Sequence, residues 1–264
     1  MFPLVVQIPG IALTDENAFI ERLKVLSQNK FMGIEYTPVD FEKDDTAKVK
    51  KLTEDFNLKV TRIATGALAL REKLSLSESG ETGKKTIARL KDLIDYAAEF
   101  GAEVILGFIK GPPGLNRQEA KRVFTENLAA VSELAGKKNT ALVIEATNHY
   151  ESSVANSVPE TAEFLQAVKS PGMRILPDTY HMNIEDTNMC AMLYTYRDCY
   201  NAVHLSDNNR FFPGYGALDF KQIISTLVYA KFSGYLGLEG NVKKSFAEDM
   251  RLFRDLLSAI ERSL

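Results

Sequence analysis

Four short and mostly apolar segments in the second half of the chain each end on a side chain that can bind a metal ion. They span residues 142–145, 175–178, 202–204 and 236–239, and they end on Glu145, Asp178, His204 and Glu239. A buried strand of a parallel sheet is a nearly continuous apolar run. A polar residue at the tip of such a strand needs a reason, and four in succession predict one site built from four consecutive strands.

These four side chains offer three carboxylates and one imidazole, which form an oxygen-rich ligand set. Such a set favours a divalent cation such as Mn2+, Mg2+ or Co2+, whereas thiolates would favour zinc. Carboxylates in close contact repel one another, so a cation is needed to hold them together. The opposing interpretation is that each acidic residue is a helix cap or a solvated side chain. The occurrence of four on consecutive strands argues against it.

The histidines point to the same location, because all three follow strands of the predicted site within a few residues. They are His149, His181 and His204. His181 lies three residues beyond Asp178, so it is close enough to the strand end to bind either the metal or the substrate. We favour substrate binding.

The surrounding sequence alternates strands and helices eight times without a break in composition. The predicted strands are residues 4–8, 31–36, 59–64, 103–109, 141–145, 173–178, 202–206 and 235–239. The first predicted helix is capped by Thr14 or Asp15 and carries Phe19, Leu23 and Leu26 at helical spacing. The other predicted helices are residues 44–56, 86–100, 117–137, 158–168 after a Ser157 cap, 190–196, 220–229 and 246–260.

This alternation implies an α/β fold with a parallel sheet and right-handed crossovers. Eight such units in about 250 residues match the size of a (β/α)8 barrel. We therefore predict a single TIM-barrel domain over residues 1–264, with a doubly wound sheet as the alternative. The strands of a barrel all end at one face, where active sites sit, so the four polar strand ends are expected to converge.

Two loops are expected near this face. Residues 71–83 are rich in Ser, Glu and Gly, and we predict a polar loop that covers the site. Arg71, Lys73 and Lys110 follow strands three and four. They are either solvated loop residues or a cationic rim that binds the carboxylate of a keto-acid.

Composition argues against several classes of partner. The net charge of -3 offers no general attraction to nucleic acid or to an anionic membrane. No apolar run reaches the roughly 20 residues that span a bilayer. The N-terminus has no basic region before the turn that we predict at Pro9 and Gly10, which argues against a signal peptide. Two cysteines, Cys190 and Cys199, do not make a disulfide framework, so we predict a soluble protein in the cytoplasm.

Several motifs around the predicted ligands resemble those of a known family. They are residues 145–151 (EATNHYE), 178–185 (DTYHMNIE), 204–214 (HLSDNNRFFPG) and 237–239 (GLE). These motifs resemble the xylose isomerase-like TIM-barrel superfamily, and they are most similar to its D-tagatose 3-epimerase and hydroxypyruvate isomerase branch. Within that branch, Thr65 and Gly66 followed by residues 74–77 (LSLS) resemble the 5-keto-L-gluconate epimerase type.

The resemblance implies a role for each residue that matches a motif. The implied metal ligands are Glu145, Asp178, His204 and Glu239. The resemblance also implies that Glu145 and Glu239 transfer protons. The implied substrate contacts are Glu151, His181 and Arg210.

Two departures from the family pattern bear on substrate identity. Relatives often have Asn-Arg-Tyr-Glu where this chain has residues 148–151 (NHYE), and glycine where it has Lys73. Both positions lie where substrate groups away from the reacting carbons can be recognised.

The implied reaction is the metal-dependent epimerisation of a ketose or keto-sugar acid at the carbon next to the ketone. A divalent cation, with Mn2+ preferred and Co2+ or Mg2+ as alternatives, would polarise the carbonyl and stabilise a cis-enediolate. One glutamate removes a proton and the other returns one to the opposite face, which gives the C3 epimer. His181 and Arg210 would stabilise charge on the substrate oxygen.

Other functions stay open as alternatives. Return of the proton to the neighbouring carbon would make the enzyme an aldose–ketose isomerase of the hydroxypyruvate or inosose type. A DNA repair nuclease of the endonuclease IV type uses the same barrel, but it needs many histidines and a basic surface. A barrel that only binds a sugar is disfavoured by the complete ligand set. Barrels of this type often pair, so we also allow for a homo-oligomer.

Overall fold

The structure is a computed structural model, and it describes residues 2–8, 15–38 and 40–264. Two features predicted from the sequence, the turn at Pro9 and Gly10 and the alternative helix cap at Thr14, lie outside these residues.

Eight parallel strands form the centre of the molecule. They are β1 (Leu4–Ile8), β2 (Gly33–Tyr36), β3 (Lys59–Ala64), β4 (Glu103–Leu106), β5 (Leu142–Glu145), β6 (Met173–Leu176), β7 (Ala202–Leu205) and β8 (Tyr235–Leu238). Neighbours in the sheet are neighbours in sequence, and β1 also pairs with β8. Isolated bridges from Ile175 to Tyr200 and from Asp178 to His204 join β6 to β7. The (β/α)8 barrel is therefore confirmed, and the doubly wound alternative is wrong.

Helices surround these strands. They are α1 (Glu16–Gln28), α2 (Thr46–Asp55), α3 (Gly66–Glu72), α4 (Gly80–Phe100), α5 (Arg117–Lys137), α6 (Val158–Val168), α7 (Thr179–Glu185), α8 (Met189–Thr195), α9 (Phe220–Tyr229) and α10 (Phe246–Glu261). Asp15 caps α1 by accepting a hydrogen bond from Ala18 N at 3.1 Å, and Ser157 caps α6. Within the described ranges, no helix is both long and apolar enough to cross a membrane.

The connection between β3 and α4 differs from the predicted polar loop. About half of it is helical, because α3 occupies Gly66–Glu72 before α4 begins at Gly80. The short segment between them is buried from Leu74 to Ser77, and Leu76 N donates a hydrogen bond to Ile109 O at 2.9 Å. The prediction of a polar loop over residues 71–83 is wrong, because both of its ends are helical and its two leucines pack into the core. The fourth strand is also shorter than the predicted range of residues 103–109. It ends at Leu106, and a 3-10 turn follows at Phe108–Lys110.

Arg62 is a cation buried in the interior of the barrel. Alternate residues of a strand point to the same face, and on β3 this alternation places Arg62 on the interior face with Ala64. Arg62 is fully buried, and it donates to Glu103 Oε2 at 2.7 Å, to Glu35 Oε1 at 3.3 Å and to Asn201 Oδ1 at 2.6 Å. Its guanidinium lies 4.9 Å from the centre of the Tyr235 ring. This cation therefore links polar groups from several strands inside the barrel.

We predict that Arg62→Met lowers the free energy of unfolding by roughly 3–5 kcal/mol, because it removes the cation that faces the buried Glu35 and the partly buried Glu103. Arg122→Met is the matched control, since Arg122 also pairs with two carboxylates, Glu119 and Glu126, but on the surface. Chemical denaturation of both variants is the measurement. A loss in the Arg62 variant no larger than that in the control would contradict the role of this cation.

Candidate active site

The four predicted metal ligands lie together at the carboxyl ends of their strands. Glu145 ends β5, Asp178 follows β6, His204 lies in β7 and Glu239 follows β8. One possible ligand atom from each residue lies within 4.8 Å of those of the other three. The barrel topology thus brings together side chains that are up to about a third of the chain apart in sequence.

His204 is the centre of this cluster. Its Nδ1 lies 2.8 Å from Glu239 Oε2, 3.6 Å from Glu145 Oε1 and 3.9 Å from Asp178 Oδ2. Its Nε2 lies 2.6 Å from Glu35 Oε2 on the other side. Nδ1 is therefore the nitrogen that faces the ligand atoms, while a hydrogen on Nε2 is donated to a carboxylate that orients the ring. Burial opposes the charged form, but Glu35 and the other carboxylates raise the pKa of His204 well above its ordinary value.

Glu35 is a site residue that the sequence analysis missed. It lies in β2, is fully buried, and is shared between His204 and Arg62. Burial opposes its ionisation, but His204 and Arg62 together lower the pKa of Glu35. The only signal in the sequence was a single acidic residue inside an otherwise apolar strand. Gly237 leaves space for this pair, because a Cβ there would lie 2.8 Å from His204 Cδ2.

Asp178 acts as a helix cap and also faces the cluster. Its Oδ1 accepts hydrogen bonds from Tyr180 N at 2.7 Å and His181 N at 3.4 Å at the start of α7. Its Oδ2 accepts one from Arg210 Nη1 at 2.8 Å. Asp178 is therefore a helix cap through one oxygen, while its other oxygen faces the cluster.

Arg210 connects two of the predicted ligands. Its Nη1 bonds to Asp178, and its Nη2 lies 2.8 Å from Glu239 Oε1. Its guanidinium lies 4.9 Å from the centre of the Tyr180 ring. Burial opposes the ionisation of Glu239, but Arg210 and His204 hold the pKa of Glu239 well below its ordinary value. Glu239 is therefore a carboxylate at neutral pH.

The loop that carries Arg210 is built around Asp207, which the sequence analysis did not identify. This buried carboxylate accepts hydrogen bonds from backbone N–H groups of Asn208 at 2.9 Å, Gly214 at 3.0 Å, Gly216 at 2.8 Å and Leu218 at 3.2 Å. A side chain at Gly216 would lie 2.3 Å from Asp207 Oδ1. Asp207 therefore fixes the loop that positions the Arg210 guanidinium.

Glu145 is in the opposite electrostatic situation to Glu239. It is buried, and its Oε1 has no hydrogen-bond partner among the described residues. Burial and the negative charge of Glu239 raise the pKa of Glu145 to about 7. Gly107 leaves room for this side chain, because a Cβ there would lie 2.6 Å from Glu145 Oε2. A buried carboxylate oxygen that lacks a donor and faces other carboxylates fits a site for a cation.

Lys110 is not part of a cationic rim. It is fully buried, and its Nζ donates to Glu145 O, to Thr147 Oγ1 at 2.9 Å and to Ala155 O at 3.1 Å. Burial lowers the pKa of Lys110 to about 7. The rim prediction is wrong for this residue, because all three hydrogens of its ammonium group are used inside the protein. Arg71 lies near acidic neighbours, with its Nη2 3.0 Å from Glu72 Oε1.

His181 has a defined tautomer. It is buried, and its Nδ1 faces two donors, Asn148 N at 3.2 Å and Asn148 Nδ2 at 2.8 Å. Nδ1 is therefore the acceptor and Nε2 carries the hydrogen. Nε2 lies 4.0 Å from Glu151 Oε2. Burial lowers the pKa of His181 to about 4, so the ring is neutral at neutral pH.

His149, the remaining histidine, lies outside the cluster. It is exposed, and both its backbone N–H and its Nδ1 contact Glu185 Oε1. The expectation that all three histidines serve the site therefore does not hold for His149.

A cleft of about 360 Å3 leads to the cluster. It is lined by residues from several strand ends, including Thr37, Thr65, Phe108, Glu145, Arg210 and Glu239. A small polar molecule in this cleft would reach Glu145 from the β5 side and Glu239 from the β8 side.

We predict that His181 makes stability fall with acidification. The folded protein holds this ring neutral to a pKa of about 4, whereas its ordinary value is 6.5. Its contribution is fully present above pH 6.5 and is lost as the pH falls toward 4, by about 3 kcal/mol in total. Denaturation of the metal-free protein between pH 4 and 7 should show a flatter profile for His181→Gln. Identical profiles for both proteins would contradict the prediction.

Comparison with known proteins agrees with this architecture. The chain matches a family described as "Xylose isomerase-like TIM barrel" over residues 23–256. A 3-dehydro-D-guloside 4-epimerase from Escherichia coli (strain K12) is 30% identical over 139 residues, 52% of this chain and 52% of that protein. A D-psicose 3-epimerase from Enterocloster bolteae is 30% identical over 133 residues, 50% of this chain and 44% of that protein. The chain thus spans about half the length of these curated relatives.

A solved structure shows the same fold. The crystal structure of a 3-keto-D-glucoside 4-epimerase from E. coli superposes with a TM-score of 0.80 at 21% identity, covering 99% of this chain and 100% of that chain. With the family match over most of the sequence, these comparisons show that the chain belongs to the xylose isomerase-like TIM barrel family.

Proposed function

We propose that this protein is a sugar epimerase that inverts the carbon next to a ketone, with Glu145 and Glu239 as its two proton-transfer groups. The observation that carries the proposal is the pair itself. Both carboxylates line one cleft, and their surroundings shift their pKa values in opposite directions. Such a pair suits the roles of acid and base. The epimerase names of the relatives support an enzyme of the isomerase class.

We further propose that a divalent cation is held by Glu145, Asp178, His204 and Glu239. The unpartnered Glu145 Oε1 and the closeness of the four ligand atoms support this. Three carboxylates with one imidazole suit Mn2+, with Co2+ or Mg2+ as alternatives. When bound, such a cation supplies Lewis-acid polarisation of a carbonyl and its neighbouring hydroxyl.

The two glutamates divide the proton transfer. Glu239 is ionised, since Arg210 and His204 stabilise its charge, so it accepts the proton of the C–H bond next to the ketone. Glu145, in its protonated form, delivers a proton to the other face of the planar enediolate. The carbon is thereby inverted, and the reverse reaction exchanges the two roles.

Three further residues are proposed to hold the substrate. His181 donates its Nε2 hydrogen to a substrate oxygen, and Arg210 adds a positive charge near the same position. Glu151 accepts a hydrogen bond from a hydroxyl group. Burial raises the pKa of Glu151, and hydrogen bonds from substrate hydroxyls would favour its carboxylate form.

This chemistry is the same for two kinds of substrate. The carbon next to the ketone is C3 in a 2-ketose and C4 in a 3-keto-glycoside, which matches the 3-epimerase and 4-epimerase names of the relatives. An aldose–ketose isomerase is the alternative, because it differs only in the carbon that receives the proton. We propose that residues 1–264 form one catalytic domain with a small-molecule substrate and no nucleic-acid partner.

We predict that exhaustive chelation abolishes activity and that Mn2+ or Co2+ restores it better than Ca2+. The assay is hydrogen exchange from ketoses and keto-acids in D2O, with metal content measured by elemental analysis. Full activity in protein shown to contain no metal would overturn the proposal of a cation.

A single methyl group tests the site without an activity assay. We predict that Gly107→Ala weakens Mn2+ binding at least tenfold by titration calorimetry, because the new Cβ would displace Glu145 Oε2. Gly136→Ala in α5 is the matched control, since a Cβ there meets nothing within 4 Å. Equal affinity in folded samples of both variants would exclude Glu145 as a ligand.

We predict reciprocal behaviour for Glu145→Gln and Glu239→Gln. Glutamine keeps an oxygen for the metal but cannot exchange a proton. Each variant should lose epimerisation by about 10²–10⁴-fold, and each should still exchange deuterium into the one epimer whose face its remaining glutamate serves. NMR of both epimers in D2O is the measurement. Epimerisation near the parent rate in either metal-loaded variant would refute the two-base mechanism.

A further inference from the structure

A second cleft opens beside the one that leads to the ligand cluster. Its volume is about 450 Å3, and its walls include Leu70, Lys73, Phe108, Pro113, Tyr150 and Glu151. Leu70 and Phe108 also line the first cleft, so the two spaces share a wall. A molecule whose one end lies at the two catalytic glutamates would extend naturally into this second space.

The walls of the second cleft expose large apolar side chains to solvent. Leu70 is 67% exposed, Phe108 is 43% exposed and Tyr150 is 71% exposed. They come from α3, from the 3-10 turn after β4 and from the segment after β5, and all three line the same cleft. Exposed apolar side chains that meet at a cleft with a polar rim mark a binding surface.

The polar groups of the second cleft are few and lie among these apolar walls. They are Lys73, Glu78 and Glu151. A ring with apolar faces and polar edges fits such a surface, because its faces pack on Phe108 and Tyr150 while its edge groups bond to the charged side chains. A ligand without a ring, such as a short keto-acid, would leave the apolar walls uncovered.

The first cleft does not need this extra space for one sugar. Sites for small molecules have volumes of about 300–1,000 Å3, and the first cleft alone lies at the lower end of that range. A free monosaccharide at the glutamates would therefore fill the first cleft and leave the apolar walls of the second cleft, at Pro113 and Tyr150, uncovered.

We propose that the second cleft is a subsite for a second ring, so that the substrate is a keto-sugar glycoside and not a free monosaccharide. The inference rests on the proposed epimerase function and specifies its substrate class. The second ring is joined through the glycosidic oxygen of the reacting sugar, and it is either another sugar or an aryl group. No bond to this ring is made or broken, since the reaction only moves a proton at the carbon next to the ketone.

The test compares one keto-sugar carrying three different groups on its glycosidic oxygen: methyl, phenyl and glucosyl. Deuterium exchange and epimerisation are measured on the Mn2+-loaded protein, together with D-fructose as a free ketose. We expect kcat/KM to be at least tenfold higher for the phenyl or the glucosyl compound than for the methyl compound. Preference for phenyl identifies an aryl group, and preference for glucosyl identifies a second sugar.

Tyr150→Ala connects the preference to the second cleft. This side chain lines the second cleft only, so its loss should reduce the ratio of kcat/KM between two-ring and methyl compounds about tenfold. Tyr229→Ala is the matched control, because Tyr229 is 76% exposed on α9 and lies in neither cleft. The Tyr229→Ala variant should show the same ratio of kcat/KM between two-ring and methyl compounds as the parent protein.

Three outcomes would overturn the inference in different ways. Exchange on D-fructose or the methyl compound with no gain from a second ring would leave the epimerase function intact and refute the subsite. Absence of exchange on every compound, with metal bound, would refute the epimerase function and the subsite with it. A preference that Tyr150→Ala leaves unchanged would place the second ring elsewhere.

Discussion

Several carboxylates lie close together in the interior of this barrel, and the rest of the structure depends on how their negative charge is stabilised. Glu35, Glu145, Asp178 and Glu239 all lie within reach of one imidazole, and buried carboxylates are unstable unless cations or donors face them. Two arginines stabilise these carboxylates from opposite sides. Arg62 approaches Glu35 from inside the barrel, and Arg210 approaches Asp178 and Glu239 from the mouth. Among these four carboxylates, only Glu145 has an oxygen without a donor. This difference between Glu145 and Glu239 supports both the proposed cation site and the proposed proton-transfer roles.

The side chains of the cluster are held in place by groups that do not contact its possible ligand atoms. Asp207 fixes the loop of Arg210 through backbone N–H groups, and Lys110 bonds to the backbone oxygen of Glu145. Gly107 and Gly237 leave room for the cluster because they have no side chain. A methyl group at Gly107 would collide with Glu145, and one at Gly237 would collide with His204. Such supports hold catalytic groups in one geometry before a substrate arrives, which is the condition for effective proton transfer.

The sequence analysis succeeded where a feature depends on one strand and failed where it depends on contacts between strands. Short apolar runs that end on Glu145, Asp178, His204 and Glu239 predicted both the barrel and the convergence of these residues. Glu35 could not be found in this way, because its partner His204 is 169 residues away in sequence and an acidic residue in a short strand is normally solvated. Lys110 was misread for the same reason, since a lysine beside prolines and glycines in a loop is usually exposed. The loop predicted over residues 71–83 was taken as polar because its serines, glutamates and glycines outnumber its two leucines, yet these leucines are buried and decide where the segment packs.

The two clefts draw on different parts of the barrel. The strand ends from β5 to β8 supply the proposed ligands and proton-transfer groups, whereas the second cleft is made mainly from the segments that follow β3 and β4. Substitutions in α3 or around Pro112 and Pro113 can therefore alter which molecules fit without moving either of the glutamates proposed to transfer protons. A duplicated gene of this kind could acquire a new substrate through changes in one half of the barrel, while selection continues to preserve the chemistry in the other.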